Sequence, residues 1–453
     1  MPSELPPLDE TLAQKIIQAV SDNFDAQIAF TQGNSPRRSP HHEPHGLTLS
    51  ELIRFGGQRG SEAAIQAHMA AQISRRGFAT TQFPMDATLL SDHPGAGKIS
   101  PAHSTAPIVV GVHAPRAAKG RSLILNHHTD IVPTGPAALW THPPYSARLD
   151  GDWLHGRGAA DMLGGAAANL FALDALRRCG VQPAAAVVLQ SVVEEESTGN
   201  GTLVAHLKGY TADAAVIPEP EEEMLVRANV GVLWFQVEVR GTPVHVREMG
   251  AGANAIDAVY RVVGALRELE ERWNRRKSEM GPNFSGEAHP INLNVGKIEG
   301  GDWASSVPAW CRVDCRIAIF PGTPAAEAAR EIEECVAAFA AADPFLRQTP
   351  PTVTWNGFFA EGYEMPEGSL AEACLGDAHR LATGEELKTF MTAGYLDTRV
   401  HVLYDKIPAL CYGPISQGIH GFDEKVSVKS LKRITTAIAI FIARWCGVES
   451  IQG

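Results

Sequence analysis

Several absences narrow this sequence before any motif is read. No run approaches the roughly 20 consecutive apolar residues that cross a bilayer, so no membrane association is expected. The first ten residues, MPSELPPLDE, lack the basic start and apolar centre of a secretory signal, which points to a cytoplasmic protein. There is no basic excess: 39 Lys and Arg stand against 51 Asp and Glu, a net charge of -12. Nucleic-acid binding needs a basic footprint, so no nucleic-acid partner is expected. The seven cysteines show no paired pattern and read as reduced thiols. Cys311 and Cys315, four apart in an alternating segment, share one strand face and read as small core residues.

What is present is an ordinary globular chain. It has 453 residues, 44% hydrophobic and 20% charged, enough for two or three domains. Helical spacing covers 8–30 and 47–76, separated by a Pro- and His-rich loop at 34–46 carrying His41, His42 and His45. Apolar strands then alternate with helices. Strands are expected at 108–113, 122–126, 184–193 and 212–217, with a helix over 161–178 stopped by Gly180. Near Asn229 the texture changes to half-exposed alternation. A strand at 231–240, a helix at 254–275 and strands at 291–298 and 309–319 follow. Thr323 and Pro324 supply a cap and first turn for a helix to about 341, and a strand at 351–355 closes the set. The order βαββαβ is that of a ferredoxin-like unit. The expected fold is therefore α/β: a wound mixed sheet over 1–228 and 357–453, with a ferredoxin-like insertion over 229–356 and a last helix at 430–446.

Acidic and histidine residues stand where apolar strands run out. They are His127-His128-Thr129-Asp130, Glu194-Glu195-Glu196 and Glu219, with Asp161 in GRGAAD and His420 in a late loop. In an open α/β sheet the crevice beyond the carboxyl ends of the strands collects such residues. Imidazole and carboxylate suit catalytic zinc. Asp130, two past His128, can hold its far nitrogen. Of two adjacent glutamates, one as ligand and one as general base is the economical assignment. Singly these signals are weak, since a His-x-Asp is more often a loop pair and a glutamate run a solvated face. Their conjunction at strand ends is informative. A dinucleotide-fingerprint reading of Gly156-x-Gly158 fails, because Asp161 takes the third glycine's place.

The ordered pieces HHTDIVP (127–133), GRGAADMLGG (156–165), EEESTGNG (194–201), IPEP (217–220) and YGPISQGIHGFDE (412–424) resemble the dinuclear zinc hydrolases that include acetylornithine deacetylase, succinyl-diaminopimelate desuccinylase, aminoacylase and carboxypeptidase G. The resemblance implies two Zn²⁺ ions, with Co²⁺ or Mn²⁺ as substitutes. His128 and Glu219 would hold one, Glu196 and His420 the other, with Asp161 bridging. Asp130 would orient His128, and Glu195 would be the general base. The insertion would be a lid, hinged near Asn229 and Gly357, and a homodimer interface. His245, in RGTPVHV (240–246), would be an oxyanion donor, delivered to the partner's site. Arg316 would grip a substrate carboxylate, with Ser305 and Asn254 as further substrate contacts. The implied activity is hydrolysis of a linear amide, foremost deacylation of an N-acyl amino acid or related small carboxylate-bearing amide. A metallo-exopeptidase or other amidase is the alternative. Leu163 stands where many members carry lysine, Ser305 where asparagine is common, and Leu396 where Ser or Thr is usual. None touches a ligand position, so these departures bear on substrate. Trp140, Trp303, Trp355 and Tyr395 are candidates for the acyl pocket wall.

Overall fold

The computed structural model describes Leu5 and residues 9–32 and 52–451. The histidine-bearing loop at 34–46 lies outside the described residues. The central sheet has six strands in the order Ala79–Phe83, Ile108–His113, Val187–Val192, Leu123–His128, Ala215–Ile217 and Ala409–Cys411. The first two pairings are antiparallel and the other three parallel, giving the mixed sheet expected. Both faces are covered. Leu123 and Leu125 point into a core shared with the Gly164–Arg178 and Val428–Trp445 helices. Ile124 points into an opposite core with Leu203 and Val204 of the Asn200–Leu207 helix. Burial on both sides explains why these strands read as continuous apolar runs.

Residues 231–360 form a second sheet, all antiparallel, in the order Leu293–Gly300, Trp310–Ile319, Gly231–Arg240 and Thr352–Ala360. The Ala255–Asn274 and Ala325–Ala342 helices pack on one face of it, closing a separate core that contains Cys311 and Cys315. This is the βαββαβ unit, and its last strand runs four residues past 356. All seven cysteines are free.

Three local expectations are corrected. The helix over 47–76 is two helices, Leu52–Phe55 and Ala63–Arg75, because Gly56 and Gly60 take positive φ and Gly57 docks against the turn at Thr129. The helix expected from Asp161 begins at Gly164. Asp161 and Met162 leave helical geometry, and the amides of Ala160 and Asp161 donate to the Glu424 carboxylate instead. Thr323 does not cap its helix. Pro324 occupies the cap position without a side-chain bond, and Ala325 N donates to Glu361 Oε1 at 3.3 Å.

Candidate metal centre

The parallel pairing of Leu123–His128 with Val187–Val192 and Ala215–Ile217 sends three strand ends the same way, so His128, Glu195, Glu196 and Glu219 emerge together. Asp161 and His420 come to the same place on loops. His128 is 1% exposed, Glu219 3% and Glu195 5%, while the His420 side chain stays half-exposed.

Asp161 lies at the centre. Its Oδ1 is 3.1 Å from His128 Nε2 and its Oδ2 is 3.2 Å from His420 Nε2. Glu219 Oε1 is 3.5 Å from His128 Nε2, and Glu196 Oε2 is 3.2 Å from His420 Nε2. Two triads share the Asp161 carboxylate, His128–Asp161–Glu219 and Asp161–Glu196–His420, and a third grouping joins His128, Glu195 and Glu196. In each, the potential ligand atoms lie within 4.8 Å of one another. The residue types and their mixture of one imidazole with two carboxylates fit zinc. Glu219 Oε1 is buried with no hydrogen-bond partner, as an atom left for a cation would be.

Electrostatics point the same way. Burial drives the carboxyls of Glu195 and Glu219 well above the usual range, despite the His128 charge. Burial would lower His128, but the surrounding Glu219, Asp161, Glu195 and Asp130 carboxylates raise it well above its usual value. His420 is pushed up to about 11, first by Glu196. Asp161 is held below the ordinary range by hydrogen bonds from both imidazoles, against its burial. Such a site crowds several carboxyl groups around two imidazoles, most of them buried. Protons on the imidazoles compensate part of the carboxylate charge, and divalent cations do so more fully.

The supporting contacts are specific. His128 Nδ1–H donates to the main-chain carbonyl of Asp130 at 2.8 Å, which turns Nε2 towards the centre. The Asp130 carboxylate is 3.6 Å from the same nitrogen and accepts instead from Glu196 N at 3.1 Å. Asp130 thus touches His128 through its backbone and Glu196 through its side chain. Burial pushes its carboxyl up to about 8.

Sequence reasoning overlooked three of the supports. Arg157, fully buried, donates to Glu424 at 2.5 Å and to the carbonyls of Pro133, His420 and Gly421. Glu424 in turn receives the amides of Ala160 and Asp161, so one ion pair holds both the Asp161 and the His420 loops. Glu194 does not join the centre. It forms a two-pronged pair with Arg59 at 2.6 and 2.7 Å and takes Ser104 N at 2.7 Å, anchoring the turn that presents Glu195 and Glu196. The available signal was placement: charged residues inside glycine-rich motifs or ending an apolar strand have to be buried and therefore paired.

A cleft of about 580 Å³ opens over the centre. Trp234, Asn294 and Arg316 of the inserted sheet line it with Phe358, Tyr395 and Leu396. Arg316 donates to Ala393 O at 2.6 Å and has no carboxylate partner among the described residues. Burial lowers its guanidinium to about 10. Of the four aromatic candidates, Tyr395 lines this cleft. Trp140 stacks on Arg157, Trp355 packs on the insertion's core, and Trp303 is exposed elsewhere. His245, Ser305 and Asn254 are not in the cleft of their own chain. They stand at the other end of the inserted sheet: His245 bridges to Ser306, the Ser305 carbonyl accepts Val246 N, and the Asn254 carboxamide caps its helix.

Fold and site together are those of an α/β hydrolase in which groups able to hold a metal ion share the Asp161 carboxylate at the strand ends, with a ferredoxin-like unit inserted. The model of peptidase family M20/M25/M40 matches residues 124–444, and the chain belongs to that family of metal-dependent hydrolases. It is 32% identical over 344 residues to the N-formyl-4-amino-5-aminomethyl-2-methylpyrimidine deformylase of Halalkalibacterium halodurans, covering 72% of this chain and 79% of that one. It is 27% identical over 408 residues to the succinyl-diaminopimelate desuccinylase of Dinoroseobacter shibae, covering 86% and 96%. Its fold resembles that of the dipeptidase Dug1p of Saccharomyces cerevisiae, with a TM-score of 0.74, 14% identity, and coverage of 96% and 98%. The chain is an amide-bond hydrolase of the amidohydrolase or deacylase kind. No helix among the described residues is long and apolar enough to cross a membrane.

Proposed function

We propose that this enzyme is a zinc-dependent deacylase that removes a short acyl group from the nitrogen of a small, carboxylate-bearing amide. The observation that carries the reading is Asp161, whose two oxygens face two separate imidazole–carboxylate pairs with Glu195 alongside. His128 and Glu219 would hold one ion, Glu196 and His420 the other, and Asp161 both. Bound there, the ions would polarise the scissile carbonyl and lower the pKa of water from 15.7 towards about 7.

The remaining roles fall to the chain's own groups. Glu195 lies 3.9 Å from His128 Nε2 and belongs to neither of the two triads around Asp161. It takes the proton of the attacking water and returns it to the departing amine. Arg316, without a counter-ion among the described residues, receives the substrate carboxylate in its planar fork. Asp130 orients His128. Closure of the insertion about the chain crossings near Asn229 and Gly357 excludes water from the cleft. Arg240 lies eight residues beyond the cleft-lining Val232, roughly 26 Å along the strand at about 3.3 Å per residue. That separation supports a homodimer in which His245, with Ser305 and Asn254 beside it, serves the partner's cleft as oxyanion donor. The free cysteines are consistent with a cytoplasmic, reducing setting.

Both sequence relatives act on amides whose names include amino groups, one N-formyl and one N-succinyl. The test is a panel of N-formyl, N-acetyl and N-succinyl amino acids, the N-formyl aminopyrimidine of the deformylase, and dipeptides, assayed with and without prior chelation. Turnover of an acyl amide that vanishes on chelation and returns with Zn²⁺ is the expected result. Cleavage confined to dipeptides would replace the deacylase reading with the exopeptidase one. Activity surviving full metal removal would end both.

A further inference from the structure

One carboxylate in the cleft is used by neither the centre nor the scaffold. The segment Glu219-Pro220-Glu221 makes a tight turn, closed by Glu221 N donating to Glu219 O at 2.8 Å, and it brings Glu221 into the same cleft as the ligand two residues before. The two glutamates that follow are committed to the scaffold. Glu222 accepts from Ser416 N at 3.0 Å, and Glu223 pairs with Arg433 at 2.7 Å and accepts from Ser430 Oγ. Glu221 makes no side-chain hydrogen bond or ion pair with any described residue, and it belongs to none of the groups able to hold an ion. Aromatic side chains line the same cleft: the Phe358 and Tyr395 rings lie 4.2 Å apart and tilted by 35°, and Trp234 meets Phe358 edge-on at 5.0 Å.

We propose that Glu221 is a specificity-determining residue that accepts hydrogen bonds from an amino group on the amine half of the substrate. A ligand that fills the cleft strips water from this carboxylate, and no protein donor replaces it. A ligand nitrogen bearing hydrogens meets that need, whereas an analogue without one leaves a desolvated acceptor unpaired. The inference rests on the amide-hydrolase reading and narrows it to amides whose amine half carries such an amino group.

The test is direct binding rather than turnover. Zinc-loaded wild type, Glu221→Gln and Glu221→Leu are titrated calorimetrically with 4-amino-5-aminomethyl-2-methylpyrimidine and with the analogue lacking the 4-amino group, and the metal content of each protein is measured. Wild type should prefer the amino compound by roughly tenfold or more, the discrimination expected of an unmet acceptor. Glu221→Leu should lose that preference with its metal content unchanged, and Glu221→Gln should keep part of it. Equal affinities in wild type, no binding of the amine, or a preference that survives in Glu221→Leu would each overturn the proposal. Loss of metal from Glu221→Leu would also overturn it, by making Glu221 part of the centre. In all these cases the functional reading stands if acyl amides are still hydrolysed. A Glu221-dependent preference in a protein that hydrolyses no acyl amide would do the reverse.

Discussion

Glu195 and Glu196 are neighbours in sequence with separate surroundings. Glu196 meets His420 at 3.2 Å, while Glu195 is buried at the cleft, 3.9 Å from His128. If Glu195 is the general base and Glu196 the ligand, as proposed, the first can be removed without removing a ligand. Glu195→Gln should therefore keep its metal content and melting behaviour while kcat falls by roughly 10²–10⁴, the usual worth of general acid–base catalysis. Metal analysis beside steady-state kinetics checks this, and normal turnover in the variant would remove Glu195 from the mechanism. The Arg157–Glu424 pair has the opposite profile, touching no ion position yet holding both the Asp161 and the His420 loops. Glu424→Gln should weaken metal affinity by roughly 10–100-fold, as loss of a ligand's support does. Competition with a chromophoric chelator measures it, and kcat at saturating metal should change far less than the affinity.

At the level of elements, the centre depends on how closely backbone segments approach. The Ala409–Cys411 strand pairs with Ala215–Ile217, and directly after it Gly413 lies against Glu219, where an added Cβ would stand 1.9 Å from the Glu219 carbonyl oxygen. A side chain there has to displace either the strand end or the ligand. Gly413→Ala should cost on the order of 1–3 kcal/mol, lowering the melting temperature by several degrees, and should reduce metal content as well. A calorimetric scan with and without zinc separates the two effects. A variant with wild-type stability and metal content would show that this junction yields freely. The same logic explains why the helix expected over 47–76 is interrupted: Gly57 O accepts Ile131 N at 3.0 Å, and a Cβ on Gly57 would stand 2.8 Å from Thr129 O. Helical spacing in the sequence was outweighed by the need to brace the His128 turn.

For the molecule as a whole, the question is where the oxyanion donor comes from. The inserted sheet presents Trp234, Asn294 and Arg316 to its own cleft and carries His245 at its opposite end. If His245 serves a second copy, two inactive variants should rescue each other. Mixing Glu195→Gln with His245→Ala under conditions that exchange subunits should restore a measurable fraction of wild-type activity, because a hybrid dimer holds one intact centre. Neither variant alone should approach that level, and both should bind metal normally. A mixture no more active than its components, with exchange confirmed by a mass-labelled subunit, would place the donor elsewhere.

Much of this was legible in one dimension. Strands buried on both faces appear as unbroken apolar runs, and the change to alternation near residue 229 marks a sheet with one face open, so four of the six central strands and the second sheet could be read from period, whereas the edge strands Ala79–Phe83 and Ala409–Cys411 could not. The ligand types were legible too, because imidazole and carboxylate at strand ends have few other uses. Pairing was not. That Asp161 divides its oxygens between His128 and His420, that Glu194 turns away to Arg59, and that Glu221 is the member of its run left without a partner are facts of distance between segments 30 to 260 residues apart. Local sequence carries periodicity and chemistry, whereas the choice among equivalent carboxylates is made by burial and by the neighbours that tertiary packing supplies.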